Sequence, residues 1–242
     1  MRIVIKVGTS TLTHPSGHLN IRRVAQLCQV ISDIKNAGHE VILVSSGAIG
    51  MGVGKLGLRS RPKDIPGKQA AAAVGQCELM YIYDKLFGEY HHTVAQLLIT
   101  GEDIAHEKRH RNFENTLQRL LEMGALPVIN ENDTVATDEI VIGDNDTLAA
   151  IVAQSVRADL LVLLSDIDGL YTADPHKDPS ATLIRDLTYA EALEKGLKVM
   201  DASAFSLCAE NKVPMVRVFG LDKPERLLEV LQGSDAGTFV HP

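Results

Sequence analysis

Val128-Ile-Asn-Glu-Asn-Asp-Thr-Val135, followed closely by Gly143-Asp-Asn-Asp146, enters as an apolar strand and leaves in a cluster of carboxylates and carboxamides. In open α/β sheets, ligands bind just beyond the carboxyl ends of the strands, where such polar clusters gather. These side chains do not make a hydrophobic pocket. They suit a small zwitterionic or phosphorylated substrate gripped through hydrogen bonds and metal-mediated contacts. Asn and Asp also favour turns for local reasons. That accounts for one or two of Asn130, Asn132, Asp133, Asn145 and Asp146, but not comfortably for all of them beside apolar strands.

Outward from this stretch, strand and helix patterns alternate. Predominantly apolar runs at 3–7, 41–44, 94–99, 125–130, 159–164 and 215–219 predict buried strands, with a last short one at 238–240. Asn20 can cap a helix whose Val24, Leu27, Cys28, Ile31 and Ile34 share one face, and Gly38 stops it. Further helices are predicted at 68–87, 112–123, 145–156, 190–195, 199–211 and 224–232, with a hairpin around 134–142. Doubly buried strands separated by amphipathic helices imply an α/β protein: a three-layer α/β/α sandwich around a mainly parallel sheet. With no low-complexity linker and no internal repeat, residues 1–242 are expected to form a single domain. The segment 61–66 is expected as a surface loop over the site, and a weak seam is expected near 174–179.

The 242 residues are 45% hydrophobic and 23% charged, ordinary values for a globular protein. The formal net charge is −7, and no Lys/Arg run is long enough to track a phosphate backbone, so nucleic acid is not the expected partner. Cys28, Cys77 and Cys208 are far apart, odd in number and set in apolar helical patterns. They are expected to be buried free thiols in a reducing cytosol. The chain opens directly on a strand pattern without a signal-peptide layout, and no apolar run approaches the ~20 residues that span a bilayer. The expected location is therefore cytoplasmic.

Four short motifs carry possible chemistry. Lys6-Val-Gly8-Thr-Ser10 can bring an ammonium and backbone N–H groups to a phosphate, or can be a lysine before a turn. Gly52-Val-Gly-Lys-Leu-Gly57 matches GxGxxG, but starts well past the strand and is not expected to open a helix; Leu56 also breaks a P-loop. His106-Glu-Lys-Arg-His110 matches HExxH but sits among charges without an evident third ligand, so a solvated helix start is expected in place of zinc. Ser165-Asp-Ile-Asp168-Gly169-Leu-Tyr171-Thr-Ala-Asp174 is another polar strand end. Read alone, it fits a plain turn as well as a nucleotide site.

Taken in order, Lys6–Ser10, Val44-Ser-Ser-Gly-Ala-Ile49, Lys68-Gln-Ala-Ala-Ala-Ala-Val-Gly-Gln76, Val94-Ala-Gln-Leu-Leu98, Val128–Asp133, Gly143–Asp146 and Asp166-Ile-Asp-Gly-Leu-Tyr171 resemble the amino acid kinase family. Up to about residue 175 the likeness is to its glutamate 5-kinase branch. The last quarter, around Leu187–Lys195, Leu197–Ala202 and Val216–Phe219, looks like the bacterial uridylate kinase branch. It has no Gly-Gly-Met-x-Thr-Lys loop, the usual source of a second lysine; Lys195, Lys198 or Lys212 are the candidate substitutes. The resemblance implies the amino acid kinase fold, with 1–175 holding the acceptor and the start of the nucleotide site, and 176–242 the rest of the nucleotide lobe. It implies phosphorylation of the glutamate side-chain carboxylate by ATP, the first step toward proline. Catalytic roles fall on Lys6 and Asp146. Ser46, Gly47, Asp133 and Asn145 would bind glutamate. Lys6, Gly8, Ser165, Asp166, Tyr171 and Asp174 would border ATP. Magnesium (Mg2+) would bridge phosphate oxygens, with no residue assigned as its ligand. Loss of Lys6 should stop turnover with little effect on folding. A homo-oligomer is also implied. A UMP kinase, or a protein that binds ligands without turnover, is the alternative.

Overall fold

The computed structural model describes residues 1–14, 18–136, 145–165, 169–173, 177–197, 200, 202–219, 225–234 and 236–242. The chain begins with β1 (Arg2–Val7), the single turn α1 (Thr9–Leu12), α2 (Ile21–Asn36) and β2 (Glu40–Ser45). Asn20 caps α2 by accepting from the Arg23 N–H at 3.2 Å, and Gly38 ends the excursion at φ +90°. Next come α3 (Ala48–Lys55), α4 (Ile65–Gly88), β3 (Val94–Ile99), α5 (Gly101–Ala105), α6 (Glu107–Glu122) and β4 (Leu126–Glu131). Asp64 caps α4, and a reciprocal Thr100–Asp103 capping box starts α5. Then follow α7 (Asp146–Ser155), β5 (Leu160–Ser165), the paired short strands β6 (Leu170–Tyr171) and β7 (Leu183–Ile184), and β8 (Asp186–Thr188). The chain finishes with α8 (Tyr189–Glu194), α9 (Ala202–Glu210), β9 (Met215–Phe219), α10 (Arg226–Leu231) and β10 (Thr238–His241).

Among the described residues, eight strands form one sheet in the order β3-β4-β2-β1-β5-β9-β10-β8. Pairing is parallel except between β9 and β10. Successive side chains on a strand point to opposite faces, so each central strand feeds two cores. Ile3, Ile5, Val7, Val41 and Leu43 pack with Leu27 and Ile31 of α2, Tyr83 and Phe87 of α4, and Leu227 of α10. Val4, Ile42 and Val44 pack on the other side with Phe113, Leu117 and Leu121 of α6, Val152 of α7, Tyr189 of α8 and Phe205 of α9. The three-layer α/β/α sandwich follows from this division. Among the described residues, no helix is long and apolar enough to cross a membrane.

Several elements depart from the expectations. The glycine-rich segment after β2 is a helix, α3, not an irregular loop. Its glycines are tolerated because α4 lies backbone to backbone against it. A Cβ on Gly52 would come within 1.8 Å of the Ala71 carbonyl oxygen, and one on Gly75 within 1.7 Å of the Ala48 carbonyl oxygen. The expected loop at 61–66 is cut short, since α4 already begins at Ile65 with Pro66 in its first turn, where a missing N–H costs nothing. His106 caps α6 and His110 lies in its first turn, bonded to Ser155 Oγ at 3.0 Å. Cys28 and Cys208 are buried, but Cys77 is exposed, because it falls on the outward face of α4. The hairpin expected at 134–142 and the seam at 174–179 lie partly outside the described residues.

Candidate active site

Parallel pairing brings the strand ends level. Lys6 stands beside Val44 of β2 and Leu163 of β5, and Val44 beside Ile129 of β4. The next residues along, Ser45, Asn130 and Leu164, therefore form one rim at the carboxyl edge of the central strands. The start of α7 lies over that rim. Asp146, in its first turn, places Oδ1 2.9 Å from Lys6 Nζ. Both residues are buried, with Lys6 at 6% and Asp146 at 8% exposure. A charge pair so withdrawn from water is costly to assemble and costly to break, which makes it weak evidence for stability and better evidence for a task.

Asn145, which caps α7, donates from Nδ2 to Asn130 Oδ1 at 2.8 Å and to the Ser45 carbonyl at 3.3 Å. Asn130 donates to Gln76 Oε1 at 2.9 Å and accepts from the Glu131 N–H. The Ser45 hydroxyl lies 2.8 Å from Tyr83 OH. A buried polar chain thus runs from α4 through β4, α7 and β2 and back to α4. Gln76 and Tyr83 anchor it from positions two turns apart on one helix face. Such a network fixes the rim because any broken link strands a buried polar atom.

The glycines shape the approaches. Gly47 takes φ +108° at the start of α3, a left-handed conformation that a side chain would strain. Gly8 lies beside the ammonium: a Cβ there would be 3.8 Å from Lys6 Nζ, an ordinary contact distance. The Ser46 N–H donates to the Val7 carbonyl at 3.0 Å, tying the β2 end to the β1 end.

Asp133 is only 5% exposed, and its Oδ1 has no hydrogen-bond partner among the described residues. Burial pushes its carboxyl up to about 6, opposed in part by the Arg61 guanidinium. An incompletely satisfied buried carboxylate is a receptor for a cation. Asn132, by contrast, does turn work, accepting from Thr134 Oγ1 at 2.6 Å.

The structure therefore brings together Lys6, Gly8, Asn145 and Asp146 with the Ser46–Gly47 corner. Tyr171 stands apart on β6, half-buried, and its neighbour Leu170 is pinned to β10 through Thr238 Oγ1 at 2.7 Å. Ser165 ends β5 next to the rim. Asp166 and Asp174 lie outside the described residues. Asn130 was expected as part of the polar strand-end group, whereas Gln76 and Tyr83 were not among the residues expected to form the site. The signal for Gln76 and Tyr83 is that a spacing of seven puts both on one face of the helix.

A sequence profile described as the Amino acid kinase family matches residues 1–218. The chain belongs to the amino acid kinase family. Within it, this amino acid kinase is 47% identical to a glutamate 5-kinase of Symbiobacterium thermophilum, over 98% of the chain and 94% of that relative. It is 46% identical to one of Clostridium perfringens, again over 98% and 94%. The likeness thus runs past residue 175 into the final quarter. Among solved structures, a UMP kinase of Ureaplasma parvum superposes with TM-score 0.73 at 23% identity, covering 100% of the chain and 98% of that structure. A UMP kinase of Bacillus anthracis gives 0.72 at 18%, covering 99% and 95%. At these identities the structural likeness establishes the fold.

Proposed function

We infer that this protein is an ATP-dependent glutamate 5-kinase, moving the terminal phosphoryl of ATP to the side-chain carboxylate of glutamate and committing it toward proline. The observation that carries this reading is the buried Lys6–Asp146 pair at the strand ends, with Gly8 beside the ammonium. Phosphoryl transfer asks a protein for in-line positioning and for neutralisation of spreading charge, more than for covalent help. A carboxylate acceptor is ionised at neutral pH and needs no general base.

In this reading Asp146 holds Lys6 in one orientation, and Lys6 donates to the oxygens of the transferring group. Backbone N–H groups at Gly8 and Gly47 add to the cradle. Ser46 and Asn145 frame the acceptor, and Asp133 takes its ammonium. Ser165, Asp166, Tyr171 and Asp174 border the nucleotide. Magnesium, carried on the phosphates, would neutralise their charge; it demands few protein ligands when phosphate oxygens are present. Of the candidate substitutes for the second lysine, Lys195 ends α8 and Lys212 follows α9, both exposed. The reading takes residues 1–242 as one kinase domain, cytoplasmic and homo-oligomeric, with the acceptor on the 1–175 part.

The test is ADP release from ATP and magnesium with glutamate or UMP as acceptor, with hydroxylamine present to trap acyl phosphate. Glutamate-dependent ADP accompanied by hydroxamate is the expected result. ADP formed only with UMP would overturn the reading. A pH profile tests Asp133 separately. An ammonium is held only by the ionised carboxylate, and the free enzyme's carboxyl sits at about 6. At saturating ATP, kcat/KM for glutamate should fall about tenfold per pH unit below that value and level off above pH ~7, because it reports the free enzyme. The bound ammonium favours the carboxylate, so the limb in kcat should lie at lower pH. Asp133→Asn should abolish the limb and weaken glutamate binding at every pH; an unchanged limb would remove Asp133 from the role.

A further inference from the structure

Glutamate carries three charged groups, and the residues named above answer two of them. Lys6 lies where the side-chain carboxylate meets the phosphoryl group, and Asp133 meets the ammonium. None of the residues assigned to the acceptor above offers the α-carboxylate a cation. The segment joining α3 to α4 supplies one.

A cavity of about 890 Å³ opens beside the phosphoryl end of the site. Thr9 and Ser10, immediately after Gly8, line it together with Gly50 and Val53 of α3 and with Arg59 and Arg61 of the following loop. Of the arginines around this cavity, Arg61 is the one whose charge is felt at Asp133. Arg61 is exposed and forms no ion pair among the described residues. Ammonium and α-carboxylate share one carbon, so an amino acid seated with its ammonium on Asp133 carries its carboxylate within a few ångströms of that aspartate. A guanidinium is also the side chain best shaped for a carboxylate, which it can grip with two parallel hydrogen bonds.

We propose that Arg61 binds the α-carboxylate of the acceptor and thereby restricts it to free α-amino acids. The proposal deepens the glutamate-kinase reading and rests on it. Three features carry it: the cavity's place beside Gly8, the charge relation between Arg61 and Asp133, and the chemistry of the acceptor. An exposed guanidinium is hydrated when the site is empty, so it adds little cost before the acceptor arrives.

The experiment compares glutamate with isoglutamine, which keeps the ammonium and side-chain carboxylate but has a neutral carboxamide at the α-position. ADP release and hydroxamate are measured for wild type, Arg61→Ala, Arg61→Lys and Lys63→Ala. Isoglutamine is scored by its KM, or by its inhibition constant where it is not turned over. Arg61→Ala should raise the KM for glutamate about 10- to 100-fold, with kcat changed only a few-fold, while leaving isoglutamine unaffected. Discrimination between the two should collapse. Arg61→Lys should restore part of it, and Lys63→Ala, a neighbouring charge loss on the same exposed loop, should leave it intact. Equal losses for both ligands would overturn the proposal, since a residue that only tunes Asp133 or holds the loop cannot sense the α-charge. Unchanged glutamate kinetics would overturn it too. A wild type that forms no hydroxamate from glutamate would fell the underlying reading and this one together. An active wild type whose Arg61→Ala variant still discriminates between glutamate and isoglutamine would fell this one alone.

Discussion

Lys6→Met is expected to lower turnover by about 10³-fold or more, the scale seen when a preorganised charge is taken from a transition state. It should also destabilise the protein by about 3–5 kcal/mol, because it leaves Asp146 buried without its partner. The sequence alone suggested that losing Lys6 would hardly touch folding. Burial of both partners reverses that expectation. The double variant Lys6→Met/Asp146→Asn separates the two effects. With no charge left to strand, it should recover most of the stability while remaining inactive, giving a large interaction term in a double-mutant cycle. Chemical denaturation and ADP release on the four proteins check this. A double variant no more stable than the worse single one would mean that the pair is not a unit. Turnover within tenfold of wild type in Lys6→Met would end its catalytic assignment.

Gly75→Ala is the second large effect. The added Cβ would lie 1.7 Å from the Ala48 carbonyl oxygen and 2.4 Å from the Gly52 N, both backbone atoms that cannot swing aside. Either α3 moves off α4 or the protein carries the strain. Overpacking of this kind costs about 3 kcal/mol or more, some 6–12 °C of Tm for a domain of this size. Because Ala48 directly follows Gly47, a displaced α3 also drags the acceptor corner with it, so the KM for glutamate should rise as well. Gly88→Ala is the control, since it ends the same helix with no atom within 4 Å of the new Cβ. It should be neutral or slightly stabilising. A Gly75→Ala protein melting within two degrees of wild type would show that the two helices tolerate separation.

The sequence exposed what local chemistry encodes. β1, β2, β4 and β5 are buried on both faces, so their continuous apolar runs stood out, and so did the polar residues at their ends. Asn20 and Gly38 marked the limits of α2 through a cap and a positive φ, both local events. The α3 helix was hidden because its glycines erase the side-chain periodicity by which helices are recognised, and their justification is the backbone of α4, some twenty residues on. Gln76 and Tyr83 looked like ordinary members of an apolar helix. Only the crossing of α4 over the rim gives them Asn130 and Ser45 as partners. Cys77 was misjudged for the related reason that a helix apolar on most sides does not announce its outward face. Asn132 looked like Asp133 in sequence, yet one serves a turn and the other is buried. The reversed direction of β10 left no trace either, since a four-residue strand pairs by what lies beside it.

The position of β1 sets an order on the making of the protein. Of the strands in the sheet it leaves the ribosome before all the others, and it lies in the middle of the finished sheet. Its second neighbour, β5, follows far later: the Arg2 N–H bonds Asp159 across 157 residues of chain. Through that interval one edge of a largely apolar strand has no native partner, and an open edge of that kind is a template for pairing with other chains. The far side of the sheet waits longer still, because β10 must slot between β9 and β8 after both have been made. Slow translation before residue 160 would lengthen the exposure and fast translation would shorten it, so the yield of folded protein in a cell should depend on elongation speed and on chaperones that shield nascent strands.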